Sequence, residues 1–284
     1  MASMARKSKS LAARLSRYRA WFQATFLAVW LDPLLLRLHH VCGPVFHCHS
    51  CPLALFACPI GVMGQFGALS IFPFITFGTL VVVGVAVGTF ICGWVCPFGF
   101  LQDLAARVPT PKFELPAWAG YTRYGVLVGM VLLVPFLFGV EHPLFFCSVC
   151  PAGALEASVP HVVSAGWAGE SIPWPSAAKL VVLAAFLGLI FFTWRPWCTL
   201  FCPLGAIYAL FNKVSVFFLK FHPDRCNDCN LCRTMCRYTA KGQRRADELR
   251  CIRCLECTRC QALTVASDFV PSASLEGEAQ HAGS

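Results

Sequence analysis

The sequence predicts an all-α polytopic membrane protein: about four transmembrane helices in a two-fold internal repeat, followed by a small cysteine-rich unit on the cytoplasmic side. Three observations carry that expectation. Of 284 residues, 57% are hydrophobic and only 13% charged, against the roughly 25% charged of ordinary soluble domains, and the mean hydropathy is +0.63. Long stretches hold no Lys, Arg, Asp or Glu: Leu38 to Gln102, Tyr124 to Val140 and Leu180 to Trp194. Finally, one phrase stands at the end of two apolar runs, as "CGWVCPFG" at 92–99 and as "CTLFCPLG" at 198–205.

Taken in order, residues 20–38, 66–91, 121–140 and 176–195 are long enough to cross, since a spanning helix needs about 20 mostly apolar residues. The first carries Asp32 followed by Pro33, which predicts a kink, an interfacial stretch or an early end, because an acid within a membrane is costly. That run ends in Asp-Pro and Arg37 with no small-residue cleavage site, so the N-terminus is expected to stay on the protein. Orientation follows from the cations. The first twenty residues hold Arg6, Lys7, Lys9, Arg14, Arg17 and Arg19 without an acid, the middle loop holds Arg107, Lys112 and Arg123, and ten more Lys and Arg follow from Lys220. Residues 39–65 and 141–175 hold none. The positive-inside rule then puts both termini and the middle loop in the cytoplasm, and the net charge of +9 reflects topology, not nucleic-acid binding. The expected location is the bacterial inner membrane, multi-pass.

The expected domain plan is a basic N-terminus (1–19), a four-helix membrane domain (20–203), an amphipathic linker helix on the inner leaflet (204–221), a cysteine-rich unit (222–266) and a disordered end (267–284). Within it, the eighteen cysteines fall into three groups. The tail group reads Cys226-x2-Cys229-x2-Cys232-x3-Cys236, then Cys251-x2-Cys254-x2-Cys257-x2-Cys260. This is a two-cluster ferredoxin pattern, in which three cysteines of a run hold one cubane and the fourth reaches the other cluster. The assignment is Cys226, Cys229, Cys232 and Cys260 to one [4Fe–4S] centre, and Cys251, Cys254, Cys257 and Cys236 to the second. Two departures stand out: Arg237 occupies the usual proline position, and the gap before Cys260 is one residue short. A pair of structural zinc sites is the competing reading.

Cys92, Cys96, Cys198 and Cys202 form the inner group. Two helical Cys-x3-Cys pairs reach one membrane face, and each can present both sulfurs to a common centre, because positions three and four apart share a helix side. The outer group repeats Cys-x2-Cys-Pro, with Cys48 and Cys51 in "CHSCPLALFACPIG" and Cys147 and Cys150 in "CSVCPAGALEA". Those four are expected to meet about a pseudo-two-fold axis, as a further Fe–S or other metal centre, as a disulfide, or as a transient copper site. Cys42 and Cys58 have no evident counterpart in the second half, and His39, His40, His47 and His49 crowd the same outer loop. Walker, Gly-x-Gly-x-x-Gly and Gly-x-Ser-x-Gly motifs are absent, so the readable chemistry is electron transfer rather than nucleotide or hydrolytic chemistry.

The inner motifs with the double cysteine run, from about residue 66 to about 264, resemble the membrane-bound ferredoxin-type quinol dehydrogenase family of the NapH/MauN type. The resemblance implies that electrons from membrane quinol pass through Fe–S centres to a partner reductase or a ferredoxin-type or cytochrome subunit. The chain would then be the electron-transfer subunit of a quinol dehydrogenase-type oxidoreductase. It implies redox-essential roles for Cys92, Cys96, Cys198 and Cys202, and cluster ligation by the eight tail cysteines. The same motifs are similar to the copper-reducing accessory protein of cytochrome oxidase biogenesis, which keeps a copper reductase or metal-site assembly factor as the alternative. A zinc-holding membrane scaffold is the third class. For a quinone site the sequence offers Trp94, Trp197, Tyr208 and Asp32, each equally readable as an interfacial or helix-end residue.

Overall fold

The computed structural model describes residues 11–31, 58–169, 171, 174–228, 230–238 and 249–267. Cys42, Cys48, Cys51, Cys229, Asp32 and the four clustered histidines lie outside the described residues.

The chain begins with one helix, Leu11–Leu31, so the boundary expected at residue 19 falls inside an element. Ala13, Ser16, Arg19 and Gln23 form its buried side, while Trp21, Phe22 and Phe26 stay exposed. The polar side packs inward, against Pro97–Ala105 and Glu256–Arg259.

The expected span 66–91 is not one helix: it takes in the end of one, the whole of a second and the start of a third, Phe90–Trp94. Pro59–Ala68 ends in a reversal, and Phe74–Val87 follows. Ser70 at φ 54° and Pro73, which has no N–H to continue a helix, break the apolar run; Gly88 at φ 55° ends the second piece. The span expected at 121–140 is the run Trp118–Phe138, the one described helix long and apolar enough to cross a membrane, with mean hydropathy 1.6. Its Leu127–Leu133 stretch is a π-helix, and Ala154–Ser158 is another. Each stands just ahead of a proline, Pro135 or Pro160, where a wider turn accommodates the missing N–H and the ring. The fourth apolar helix is Ala177–Phe192, with Ser176 accepting from the Lys179 N–H at its start.

The two-fold repeat is explicit at the inner motifs. Phe90–Trp94 and Pro97–Ala105 recur as Pro196–Leu200 and Pro203–Phe211. Their offset equals that of the cysteine pairs. A Cys-Pro-x-Gly tetrad begins four helices, at Cys58, Cys96, Cys150 and Cys202. Each cysteine is an extended N-cap followed by proline at the first helical position, where its fixed φ suits the helix and its lost N–H costs nothing. Cys58 therefore does have a counterpart, Cys150. All four N-cap cysteines join one apolar core with Leu80, Phe98, Phe146, Phe186, Trp197 and Tyr208.

The linker expected as a helix over 204–221 differs. Pro203–Phe211 is helical but buried, with Leu204, Ala206, Tyr208 and Ala209 in the core, and Phe217–Phe221 is a strand, β1. It pairs antiparallel with β2, Leu263–Ser267, from Phe217 opposite Ser267 to Phe221 opposite Leu263. This ribbon closes the tail unit and begins at Phe217, ahead of the start expected at residue 222.

Candidate functional site

The two tail loops share one backbone pattern. Asp228 and Asn230, on either side of Cys229, and Arg253 and Leu255, on either side of Cys254, all take positive φ between 50° and 61°. Left-handed backbone costs about 1–2 kcal/mol per non-glycine residue. Two such residues at matched places in each loop give the kind of backbone turn whose N–H groups can accommodate an anionic centre. Cys236 lies close enough to Cys251, Cys254 and Cys257 for their charges to interact. The short helix Leu231–Met235 packs on Glu256–Arg259, so the end of each run lies beside the other. The donor set, all thiol and wrapped by strained loops, fits a cubane. Arg237, in the usual proline position, stacks on the Trp194 ring at 4.9 Å, which gives that departure a docking role.

The tail sits directly on the first inner motif. Thr89 Oγ1 and Asn212 Nδ2 donate to the Cys251 carbonyl at 2.8 and 2.9 Å, and Trp94 Nε1 donates to the Arg253 carbonyl at 3.1 Å. Gly93 is required here: a Cβ would meet the Ile252 carbonyl oxygen at 2.5 Å. Arg253 in turn donates from Nη2 to the Asn212 carbonyl at 2.8 Å, and from Nη1 to the Phe217 and Val87 carbonyls. Trp94, Leu219 and Leu255 form the apolar part of the seam.

Beneath that seam, Cys92, Cys96, Cys198 and Cys202 line one cavity together with Thr89, Arg123, Leu249 and Cys251. The structure thus brings the two inner pairs to one place. Among the described residues no three His, Cys, Asp or Glu side chains are drawn together as the ligands of a single ion, and this holds for the tail cysteines as for these four. Gln102 is fully buried; its Nε2 donates to Cys198 Sγ at 3.2 Å and its Oε1 accepts the Trp197 N–H at 3.2 Å. The Gly205 N–H donates to Cys202 Sγ at 3.3 Å, and the Gly99 N–H bonds Cys96 in the same way.

Sequence reading missed the charged knot beside these cysteines. Asp103 accepts from Arg195 Nε at 2.8 Å and Nη2 at 2.6 Å, from Arg19 Nη2 at 2.5 Å and from the Tyr238 hydroxyl at 3.0 Å. Arg195 also donates to the Cys92 carbonyl at 2.7 Å, and Arg19 Nε to the Gly93 carbonyl at 2.8 Å. Both guanidiniums lie within 6 Å of the Tyr238 ring. Burial alone would raise the Asp103 pKa, yet Arg195 and Arg19 hold it below the ordinary carboxylate value. The one legible signal was an acid seven residues beyond Cys96 and an arginine three before Cys198 in otherwise uncharged surroundings.

Of the outer group, Cys150 lies close enough to Cys147 and to Cys58 for their charges to interact; Cys48 and Cys51 are outside the described residues. Trp94, Trp197 and Tyr208, offered for a quinone site, are all buried. Trp94 braces the tail, and Trp197 packs on Phe98, Phe146 and Phe186.

A protein-family model described as "4Fe-4S binding domain" matches residues 69–116, 122–159 and 177–222. The uncharacterized protein MJ0750 of Methanocaldococcus jannaschii is 33% identical over 185 residues, covering 62% of this chain and 69% of that protein. The methylamine utilization ferredoxin-type protein MauN of Methylorubrum extorquens is 30% identical over 148 residues, 51% of this chain and 46% of its own length. The chain belongs to the ferredoxin-type 4Fe–4S protein family. This ferredoxin-type protein is also 31% identical over 163 residues to the regulatory protein NosR of Stutzerimonas stutzeri, but covers only 20% of it. It spans under half of MauN and a fifth of NosR, so what those longer proteins do as wholes is not carried over by the match. No solved structure matches this ferredoxin-type protein.

Proposed function

We propose that the chain is a multi-pass membrane electron carrier, passing electrons between the quinol pool and a partner oxidoreductase through [4Fe–4S] clusters, with both termini in the cytoplasm. The observation that carries this reading is the seating of the Cys251–Cys254 loop on the cavity of the four inner cysteines. Two cysteine-rich sites share a wall there, as a relay requires.

Cys226, Cys229, Cys232 and Cys260 would hold one tail cluster, and Cys251, Cys254, Cys257 and Cys236 the other. A bound [4Fe–4S] centre supplies a one-electron store whose potential follows its hydrogen bonds, net charge and exposure. This chain's residues supply those surroundings. Trp94, Thr89 and Asn212 fix the loop through its carbonyls, and Arg19, beside Cys254, places positive charge at the seam. The membrane setting is supported by large exposed apolar side chains on three helices, among them Phe74, Phe77, Val82, Phe136, Leu137 and Val181, a surface that soluble monomers rarely show.

The test is anaerobic purification of the full chain with iron, sulfide, zinc and copper counted, and EPR after dithionite or a quinol analogue. At least about eight irons, with signals that appear on quinol addition, is the expected result. Zinc without iron overturns electron transfer. Signals with dithionite but not with quinol remove the quinol pool, and copper retained by the outer cysteines turns the reading to a copper reductase.

A further inference from the structure

We infer that Cys92, Cys96, Cys198 and Cys202 hold a further iron–sulfur cluster, shared between the two halves of the repeat, with Gln102 and Arg123 as its tuning residues. The inference rests on the electron-carrier reading and adds a centre to it.

Four observations point to this site. First, each half contributes one sulfur from a short helix and one from the N-cap of the next, and all four line one cavity. Four thiolates are the ligand set of [2Fe–2S] and [4Fe–4S] centres alike. Secondly, the two halves match in burial: Cys96 and Cys202 are buried and Cys92 and Cys198 half-buried, so the four sulfurs are sheltered from water, and limited solvent exposure is one of the factors that set a cluster's potential.

Thirdly, the surroundings are arranged for negative charge. Nine-residue helices start at Cys96 and Cys202, placing two positive dipole ends at the cavity, and Gly205 and Gln102 donate N–H bonds to sulfur. Arg123 lines the cavity and is buried, and its Nε has no hydrogen-bond partner. No carboxylate among the described residues pairs with it, so an anionic centre would offset the cost of burying that charge. Fourthly, the three matched stretches of the family described as 4Fe–4S-binding contain no tail cysteine; their cysteines are these four with Cys147 and Cys150. Of these six, the four inner ones line this cavity. The family description goes to a [4Fe–4S] centre in preference to [2Fe–2S].

The test compares the full-length chain, purified anaerobically, with Cys92→Ser/Cys198→Ser and with Gln102→Leu, by iron and sulfide count and redox-poised EPR. Wild type should carry about twelve irons and the double variant about four fewer, with one signal lost and the tail signals kept. Gln102→Leu removes a hydrogen bond to one sulfur and keeps the volume, so one centre alone should shift its midpoint negative. About eight irons in both wild type and double variant would overturn the additional cluster while leaving the electron-carrier reading intact; no iron in wild type would overturn that reading instead. If the double variant fails to fold, Gln102→Leu decides: a shift of no centre, or of all, sinks the proposal.

Discussion

A methyl group at Gly93 would stand 2.5 Å from the Ile252 carbonyl oxygen, and main chain cannot swing aside as a flexible side chain can. Gly93→Ala should therefore cost about 1–3 kcal/mol as overpacking does, lowering the melting temperature in detergent and opening the tail to protease; an unchanged melt and cleavage pattern would show that the seam is looser than its contacts. Asp103 is the second sensitive residue. Asp103→Asn leaves two buried guanidiniums facing one neutral amide, a loss of about 3–5 kcal/mol by analogy with broken buried pairs, readable in the same melt. The pH dependence has a definite sign. Because the folded pKa of Asp103 lies below the unfolded one, its contribution is full above the unfolded carboxylate range and is lost as pH falls through the folded value. Wild type should thus lose stability on acidification more steeply than Asp103→Asn does.

At the scale of elements, the tail ribbon carries the clearest expectation. Leu219 on β1 is buried in the seam with Trp94 and Leu255, so Leu219→Ala should cost about 2–5 kcal/mol, whereas truncating its exposed neighbour Lys220 should cost little. Equal melts for the two would place the strand elsewhere. The ribbon also shows why part of the fold was not legible. "VSVFFLKF" is rich in β-branched and aromatic residues as a strand should be, but it does not alternate, it continues an apolar helix without a proline or glycine between Phe211 and Phe217, and the strand it needs is more than forty residues away. By contrast, the inner cysteine pairs and their repeat were readable because Cys-x3-Cys-Pro is a local pattern. The kinship of Cys58 with Cys150 was hidden, because reading Cys-x2-Cys-Pro put Cys51 in that role; the tetrad Cys-Pro-x-Gly would have found it. Ser70 and Pro73 split the second apolar run for reasons visible residue by residue, yet hydropathy, which averages over a window, passes over them.

For the whole molecule, the expected topology places Lys220 onward on the cytoplasmic face. Protease added to inverted membrane vesicles should remove the tail, and protease added to right-side-out cells stripped of their outer wall should not; the reverse pattern would overturn the orientation. The charged knot bears on a different matter, the order in which the chain is made. Arg19 and Tyr238 meet although 219 residues separate them, and Asp103 and Arg195 come from between. A ribosome releases Arg19 first, its acid partner later, the second arginine later still, and the tyrosine only with the tail. Until Tyr238 emerges, Asp103 lacks one of its donors and the two guanidiniums lack the ring they lie against, so translation of the tail completes the knot as well as its own unit. A chain stalled before residue 238 would be marked as unfinished by its own unsatisfied polar groups, open to quality control before any metal is inserted.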